Sequence, residues 1–193
     1  MDIEIRSNDC IVLSGYVNAV ERRSKVMTRA GAPPYREFVR PGTFRKALEK
    51  GNKIDLMLDH KRVICDTENG LELREDNVGL YASAVVTDGE VVKAARDRKL
   101  TGWSFGFYCD RDEWSKDEGG MELRELEDIR LEEVSILTGI PAYLATSVEI
   151  REGSGLLERR CGDDKVTVTD KRTDYFAYDA DIEILKLGGH RYE

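Results

Sequence analysis

The stretch TGWSFGF, residues 101–107, decides between two folds. It contains Gly102-x-Ser104-x-Gly106, which is the spacing of the nucleophile elbow of α/β-hydrolases. An elbow needs a strand before the serine, a helix after it, and a histidine further along the chain. The residues after Ser104 are aromatic and β-like, and the only later histidine, His190, lies close to the end of the chain. The context therefore favours a strand over an elbow.

As a strand, this stretch has two different faces. Side-chain alternation places Ser104 on one face between two glycines and places three aromatic residues on the other: Trp103, Phe105 and Phe107. The aromatic face is expected to anchor the strand in the core. The glycine face is expected to leave Ser104 in a flat groove where an extended peptide can lie. The alternative is an ordinary strand serine whose neighbouring glycines allow bends.

Similar patterns recur along the chain and predict the fold class. Strand-like runs are found in four further segments, residues 10–20, 53–58, 79–86 and 128–137. Two helices are expected, one from a Thr43 cap to Gly51 and one from an Asp88 cap. Ser14-Gly15 predicts a bulge or bend in the first strand. We expect a mainly β protein with α-helices (α+β), a small closed or nearly closed β-barrel flanked by a few helices.

A change of composition after Ile150 indicates where the main domain ends. The segment REGSGLLERRCGDD, residues 151–164, is rich in glycine and charge, as linkers are. We therefore expect a barrel domain over residues 1–152 and a C-terminal appendage over residues 153–193.

Charge and composition exclude several functions. The 193 residues carry a formal charge of −8, and residues 110–133 hold eleven acidic and four basic side chains, which we interpret as a solvated hairpin with its flanks. Without a basic stripe, nucleic-acid binding is not expected. No apolar run is long enough for a membrane span and no signal peptide is recognisable, so a soluble protein is expected. Four scattered cysteines indicate reduced thiols, and neither a metal nor a cofactor is expected.

A reactive serine needs a base, and the base needs an orienting group. His60 comes after the predicted strand of residues 54–58 and lies on its apolar face. This position suits a base at the rim of a barrel, and it equally suits a capping or core histidine. Glu133 shares a strand face with Leu131, where an unpaired carboxylate is costly and an imidazolium is a suitable partner. Its neighbour Glu132 points the other way. The residue pattern thus allows Ser104, His60 and Glu133 as one set.

Several motifs, in this order and spacing, resemble the tailed-phage prohead proteases, which are similar in fold to herpesvirus assemblins. The resemblance covers residues 11–148 and depends on six segments: LSGYVNAV, EFVRPGTFRKAL, LMLDH, DNVGLYASAVV, LTGWSFGF and LEEVSILTGIPAYLAT. It implies that Ser104 attacks the scissile carbonyl, that His60 transfers the proton and that Glu133 orients His60. Herpesvirus relatives use a second histidine in the third role, so the neighbouring Glu132 stays open as an alternative to Glu133. Asp59 is a further carboxylate beside His60, but strand alternation points it away.

The resemblance also implies substrates and a place of action. A serine endopeptidase of this kind would cut the scaffold segment of the major capsid protein or a separate scaffold protein, and itself, inside the procapsid in the host cytoplasm. The tail beyond Glu152 is the expected place of self-cleavage. Assemblins resemble enzymes that are switched on by self-association, so the resemblance implies activation by formation of a homodimer or by crowding inside the shell. For the oxyanion hole we expect the backbone amides of Gly139 and Ile140, in the loop after the Glu133 strand.

Three other functions compete with this interpretation. A barrel of the same shape could bind capsid or scaffold without catalysis, and it would not need Ser104 or His60. A small-ligand barrel would line a cavity with its aromatic residues. An esterase on another fold would need the elbow helix that the sequence lacks.

Overall fold

The structure, a computed structural model, describes residues 1–28, 31–138, 148–150, 156–161 and 167–170. These residues form twelve strands and two helices. Their bounds in chain order are β1 Asp2–Ser7, β2 Cys10–Ala19, β3 Tyr35–Val39, α1 Thr43–Glu49, β4 Asp55–Leu58, β5 Arg62–Asp66, β6 Leu71–Glu75, β7 Gly79–Val86, α2 Gly89–Arg96, β8 Gly102–Lys116, β9 Glu122–Leu137, β10 Val148–Ile150, β11 Leu156–Cys161 and β12 Thr167–Asp170. The expectation of a mainly β protein with helices is confirmed. No helix in these ranges is both long and apolar enough to span a bilayer.

The strands form two sheets rather than one closed barrel. One sheet has the order β12-β1-β2-β7-β6, and the other has the order β10-β11-β8-β9-β4-β5, with β3 also paired to β9. One sheet is a curled half-barrel, so the expected closed or nearly closed barrel is corrected. Closure requires a hydrogen-bonded ladder that returns to its first strand. Within the described residues the strand pairings end at edge strands in both sheets.

The aromatic face of β8 anchors the core between the sheets. Trp103, Phe105 and Phe107 are fully buried, as predicted. Phe105 stacks on Phe107 and meets Phe44 of α1 edge to face, with ring centroids 5.4 Å apart in both pairs. This packing fixes β8, and with it the opposite face that carries Ser104.

The two helices begin in different ways. Asp88 caps α2 as predicted, because its carboxylate accepts hydrogen bonds from the amides of Glu90 and Val91. Thr43 does not cap α1, and its hydroxyl donates instead to the carbonyl of Leu126 at 3.1 Å. The amides at the start of α1 donate to Glu75 of β6, Gly42 at 2.6 Å and Arg45 at 2.5 Å. A carboxylate from a distant strand therefore replaces the expected local cap.

Two further expectations are corrected. The register shift of β2 against β7 lies between Tyr16 and Asn18, not at Ser14-Gly15. The acidic stretch is solvated only in part, because Arg124 and Glu127 are buried and paired with opposite charges.

Strands beyond residue 152 pair with both sheets. The expected linker contains β11, which pairs with β8, and further on β12 runs parallel to β1. Local composition indicated a linker because the charges of β11 look solvent-exposed in sequence, whereas Glu158, Arg159 and Arg160 are all buried against charged partners. The division into residues 1–152 and 153–193 stays a prediction.

Candidate active site

His60 lies in a tight turn between β4 and β5. The amide of Lys61 donates to the carbonyl of Leu58 at 3.0 Å, and both central residues, Asp59 and His60, have positive φ, 49° and 58°. This is the pattern of a type I′ turn, which residues other than glycine, asparagine and aspartate rarely adopt. The Asp59 carboxylate accepts hydrogen bonds from the amide and hydroxyl of Thr138, at 2.8 and 2.6 Å, and thereby ties the turn to the residue after β9. Asp59 is thus engaged away from the His60 ring.

Ser104 and Glu133 are brought together by the pairing of β8 with β9. Ser104 lies opposite Ser135, and Gly106 lies opposite Glu133. The His60 Nδ1 is 2.7 Å from Glu133 Oε1, and His60 is also hydrogen-bonded to Ser104 and Ser135. The three residues selected from the sequence therefore meet in one hydrogen-bonded cluster.

Glu133 is buried and charged. Burial on its own raises the pKa of this carboxyl, but the hydrogen bonds from His60 and Arg159 outweigh burial and hold the pKa below its ordinary value. Glu133 is therefore a carboxylate at neutral pH, as a group that orients a histidine and stabilises its imidazolium form must be.

Gly106 provides the space that the Glu133 carboxylate occupies. A Cβ at this position would lie 2.6 Å from Glu133 Oε1 and 2.7 Å from its Cγ. Such distances are far below van der Waals contact, so the residue opposite Glu133 must be glycine if the carboxylate is to lie over β8. The second glycine of the Gly-x-Ser-x-Gly pattern is explained by this close approach rather than by a bend.

Comparison with known proteins identifies the family of the chain. The family model of the caudovirus prohead serine protease matches residues 1–157 of the 193. The chain belongs to this family. No curated protein and no solved structure matches it significantly. Membership confirms the resemblance seen in the sequence and supports a role as a serine protease of capsid maturation, acting within the procapsid of an infected host.

In this prohead protease a second serine, Ser135, belongs to the same cluster. Its hydroxyl donates to Glu133 Oε2 at 3.4 Å and it is hydrogen-bonded to His60. No role for Ser135 was expected from the sequence. Because strand alternation puts Glu133 and Ser135 on one face, the motif Glu-x-Ser could have indicated that both contact the same histidine.

Strand β11 supplies two contacts to the cluster that the sequence analysis missed. The Ser104 hydroxyl donates to the carbonyl of Arg160 at 2.8 Å, and the Arg159 Nε donates to Glu133 Oε1 at 2.8 Å. Ser104 is fully buried, so the flat groove expected beside it is not found in the part of the chain that the structure describes. No sequence signal in β11 identified these contacts, since its charged residues resembled a solvated linker.

Two other expectations concern the oxyanion hole and metals. Gly139 and Ile140 lie outside the described residues, so their role stays a prediction.

Among the residues that the structure describes, no group of three His, Cys, Asp or Glu side chains is placed to hold a metal ion.

Proposed function

We propose that the chain is a serine endopeptidase in which Ser104 is the nucleophile, His60 the general base and acid, and Glu133 the group that orients His60. The observation that supports this most strongly is that one imidazole is hydrogen-bonded to both the buried Ser104 hydroxyl and the Glu133 carboxylate. Family membership supports the same reaction class.

Under this proposal the two nitrogens of His60 have different tasks. Nδ1 contacts Glu133, so in the neutral ring Nδ1 carries the proton and Nε2 has the free lone pair. Nε2 accepts the Ser104 proton as the hydroxyl oxygen bonds to the scissile carbonyl carbon. The resulting imidazolium is stabilised by Glu133 and then protonates the leaving amine. Water hydrolyses the Ser104 ester by the same proton transfers in reverse order.

Backbone amides are the expected oxyanion stabilisers. We assign this task to Gly139 and Ile140, because they follow Thr138 directly in the sequence and Thr138 is hydrogen-bonded to the turn of His60. Preorganised amides of this kind lower the barrier when the carbonyl oxygen becomes negative.

The proposed substrates are the scaffold segment of the major capsid protein, any separate scaffold protein, and the chain itself beyond Glu152. Such segments are cut most easily when extended, and an extended segment can pair with the edge of a sheet. We further propose that two copies associate when the enzyme is active.

Cleavage of the capsid protein with its scaffold segment tests the proposal. Purified protein is incubated with this substrate, and the products are identified by N-terminal sequencing. The fragments formed by the native chain should disappear with Ser104→Ala and persist with Ser115→Ala, which removes an exposed serine on the same strand. Equal fragments from Ser104→Ala and the native chain would support the competing function, a binding barrel without catalysis.

A further inference from the structure

Strand β11 lies directly beside the strand that carries Ser104. It pairs antiparallel with β8, with Cys161 opposite Ser104 and Arg159 opposite Gly106. The carbonyl of Arg160 accepts the hydrogen bond of the Ser104 hydroxyl. Extended peptides bind to sheets by adding a strand in this way. A segment of the chain itself thus occupies a position that an extended peptide would take next to the nucleophile.

In this position β11 opposes the proton transfer from Ser104 to His60 in two ways. The Arg160 carbonyl and His60 compete for the single hydroxyl proton of Ser104, and catalysis requires its donation to His60. The guanidinium of Arg159 shares Glu133 Oε1 with His60, and a positive charge there disfavours a second positive charge on the imidazole. Both contacts end when β11 leaves the sheet.

The other face of β11 is held by four buried charges. Arg160 donates to both carboxylate oxygens of Glu37, at 2.7 and 2.9 Å, and Glu158 accepts from Arg124 at 2.6 and 2.9 Å. Arg124 also contacts Glu37 at 3.1 Å. All four residues are less than a tenth exposed. Without β11, Glu37 would lose the cation that contacts both of its oxygens, and a buried carboxylate is stable only with such a partner.

We propose that β11 fills the position in which an extended substrate pairs with β8. In that position Glu37 and Arg124 select substrates that carry a basic residue two positions after an acidic residue. This inference rests on the proposed role of Ser104. The substrate class is a flexible peptide segment with the pattern Glu-x-Arg that displaces β11. The family match ends at residue 157, so the anchoring pair Glu158 and Arg160 lies in the part of the chain beyond it.

The first test loosens β11 and measures how fast a fluorophosphonate labels Ser104. The double variant E158A/R160A removes one charge of each sign and leaves Glu37 paired with Arg124. The matched control D110A/R130A removes an ion pair of 3.0 Å from the exposed part of the β8–β9 hairpin. Labelling should become at least about tenfold faster in E158A/R160A, because the state in which β11 has left the sheet is more populated. Labelling should not change in the control.

The second test holds β11 in place and does not disturb the buried charges. Tyr108 and Leu157 are opposite each other on β8 and β11, and cross-strand distances suit a disulfide, so Y108C/L157C can be oxidised or reduced. The oxidised form should be labelled at least about tenfold more slowly than the reduced form. Circular dichroism verifies that each variant is folded.

The third test examines the selection of charge. The peptide GLLERRCGD, residues 155–163 of this chain, should protect Ser104 of E158A/R160A from labelling. The peptide GLLERECGD, with Glu in place of Arg160, should protect at least about tenfold less well, because it places a second carboxylate beside Glu37.

The outcomes separate the two proposals. Equal labelling rates in the native chain, E158A/R160A and both forms of Y108C/L157C would overturn the role of β11 and leave Ser104 a reactive serine. Equal protection by the two peptides would overturn the selection by Glu37 and Arg124. No label on Ser104 in any folded form would overturn the proposed function itself, and this inference with it.

Discussion

At the scale of single residues, the charge of Glu133 is the most specific requirement of the proposed mechanism. The substitution Glu133→Gln keeps the size of the side chain but removes the acceptor that fixes the Nδ1 proton of His60. We expect the turnover number to fall by about 10³- to 10⁴-fold with little change in KM, as when the acid of a serine protease triad becomes an amide. Steady-state kinetics with a peptide substrate measures both constants.

The neighbouring Glu132 provides the control for this substitution. It is more exposed and points to the other face of β9, so Glu132→Gln should leave the turnover number within a factor of about two, as for surface substitutions away from a site. Equal losses in both variants would contradict the assignment of Glu133.

Gly106 should be required for catalysis more than for folding. In Gly106→Ala the new methyl group overlaps the Glu133 side chain, so the carboxylate must move away from His60. We expect a loss of turnover of about 10²-fold, since displacement of a positioning group by about 1 Å has that effect. Gly89→Ala is the matched control because a Cβ there meets nothing within 4 Å. Retention of full activity by Gly106→Ala would show that Glu133 does not need its observed position.

The sequence was sufficient to predict Ser104, His60 and Glu133 as residues of the candidate site, but not every residue that contacts them. Strand alternation predicted the strand faces on which Ser104 and Glu133 lie, and the chain contains only two histidines that could serve as the base. Alternation did not explain how His60 reaches them, because its position depends on two residues with positive φ in the turn. Arg159 could not be found, since its contact with Glu133 depends on β11 pairing with β8 across a long sequence separation.

At the scale of elements, the ion pairs of β11 should make stability depend on pH. Arg124 and Arg160 hold the pKa of Glu158 below its ordinary value of 4.5, although burial opposes this, and the pKa of Glu133 is also lowered. A carboxyl with a lowered pKa in the folded state stabilises the fold above its unfolded pKa, and this contribution is lost as pH falls through the folded pKa. We therefore expect a constant free energy of unfolding between about pH 7 and 5.5, and a fall below about pH 4.5.

Urea unfolding of Glu158→Gln measures how much of this dependence belongs to β11. The variant should lose about 1.5–3 kcal/mol at pH 7, because Arg124 and Arg160 keep their contacts with Glu37 but lose the Glu158 carboxylate, and its stability should fall less steeply below pH 4.5. Glu118→Gln, in the exposed turn between β8 and β9, is the control and should match the native chain. A stability of Glu158→Gln equal to that of the control would contradict the structural role of the four buried charges.

The elements themselves were largely predictable from the sequence, whereas their partners were not. The strand-like patterns correspond to β2, β4, β7, β8 and β9, and the Asp88 cap is local to its helix, so neighbouring residues contain the information. The start of α1 depends on Glu75, thirty residues away, and no local pattern indicates it. Strand β11 was hard to identify because its charged residues are buried against partners elsewhere in the fold.

At the scale of the whole molecule, the pairing of the strands explains why the candidate site lies at one end of β9. The first part of β9 pairs with β3 and the last part pairs with β4, while β8 runs along its other edge. The end of β9 at residues 133–136 is therefore enclosed by β4 and β8, which carry His60 and Ser104 to the same place. Sequence periodicity indicates which strands exist but not which edges meet, so it could not distinguish a half-barrel from a closed barrel.

The position of a covalent adduct tests the central claim most directly. The native chain, Ser104→Ala, Ser135→Ala and His60→Ala are each treated with a fluorophosphonate, and tandem mass spectrometry locates the modified residue. We expect an adduct on Ser104 in the native chain and in Ser135→Ala, none in Ser104→Ala, and a strongly reduced yield in His60→Ala. An adduct on Ser135, or no adduct on Ser104 in any folded form, E158A/R160A included, would contradict the assignment of Ser104.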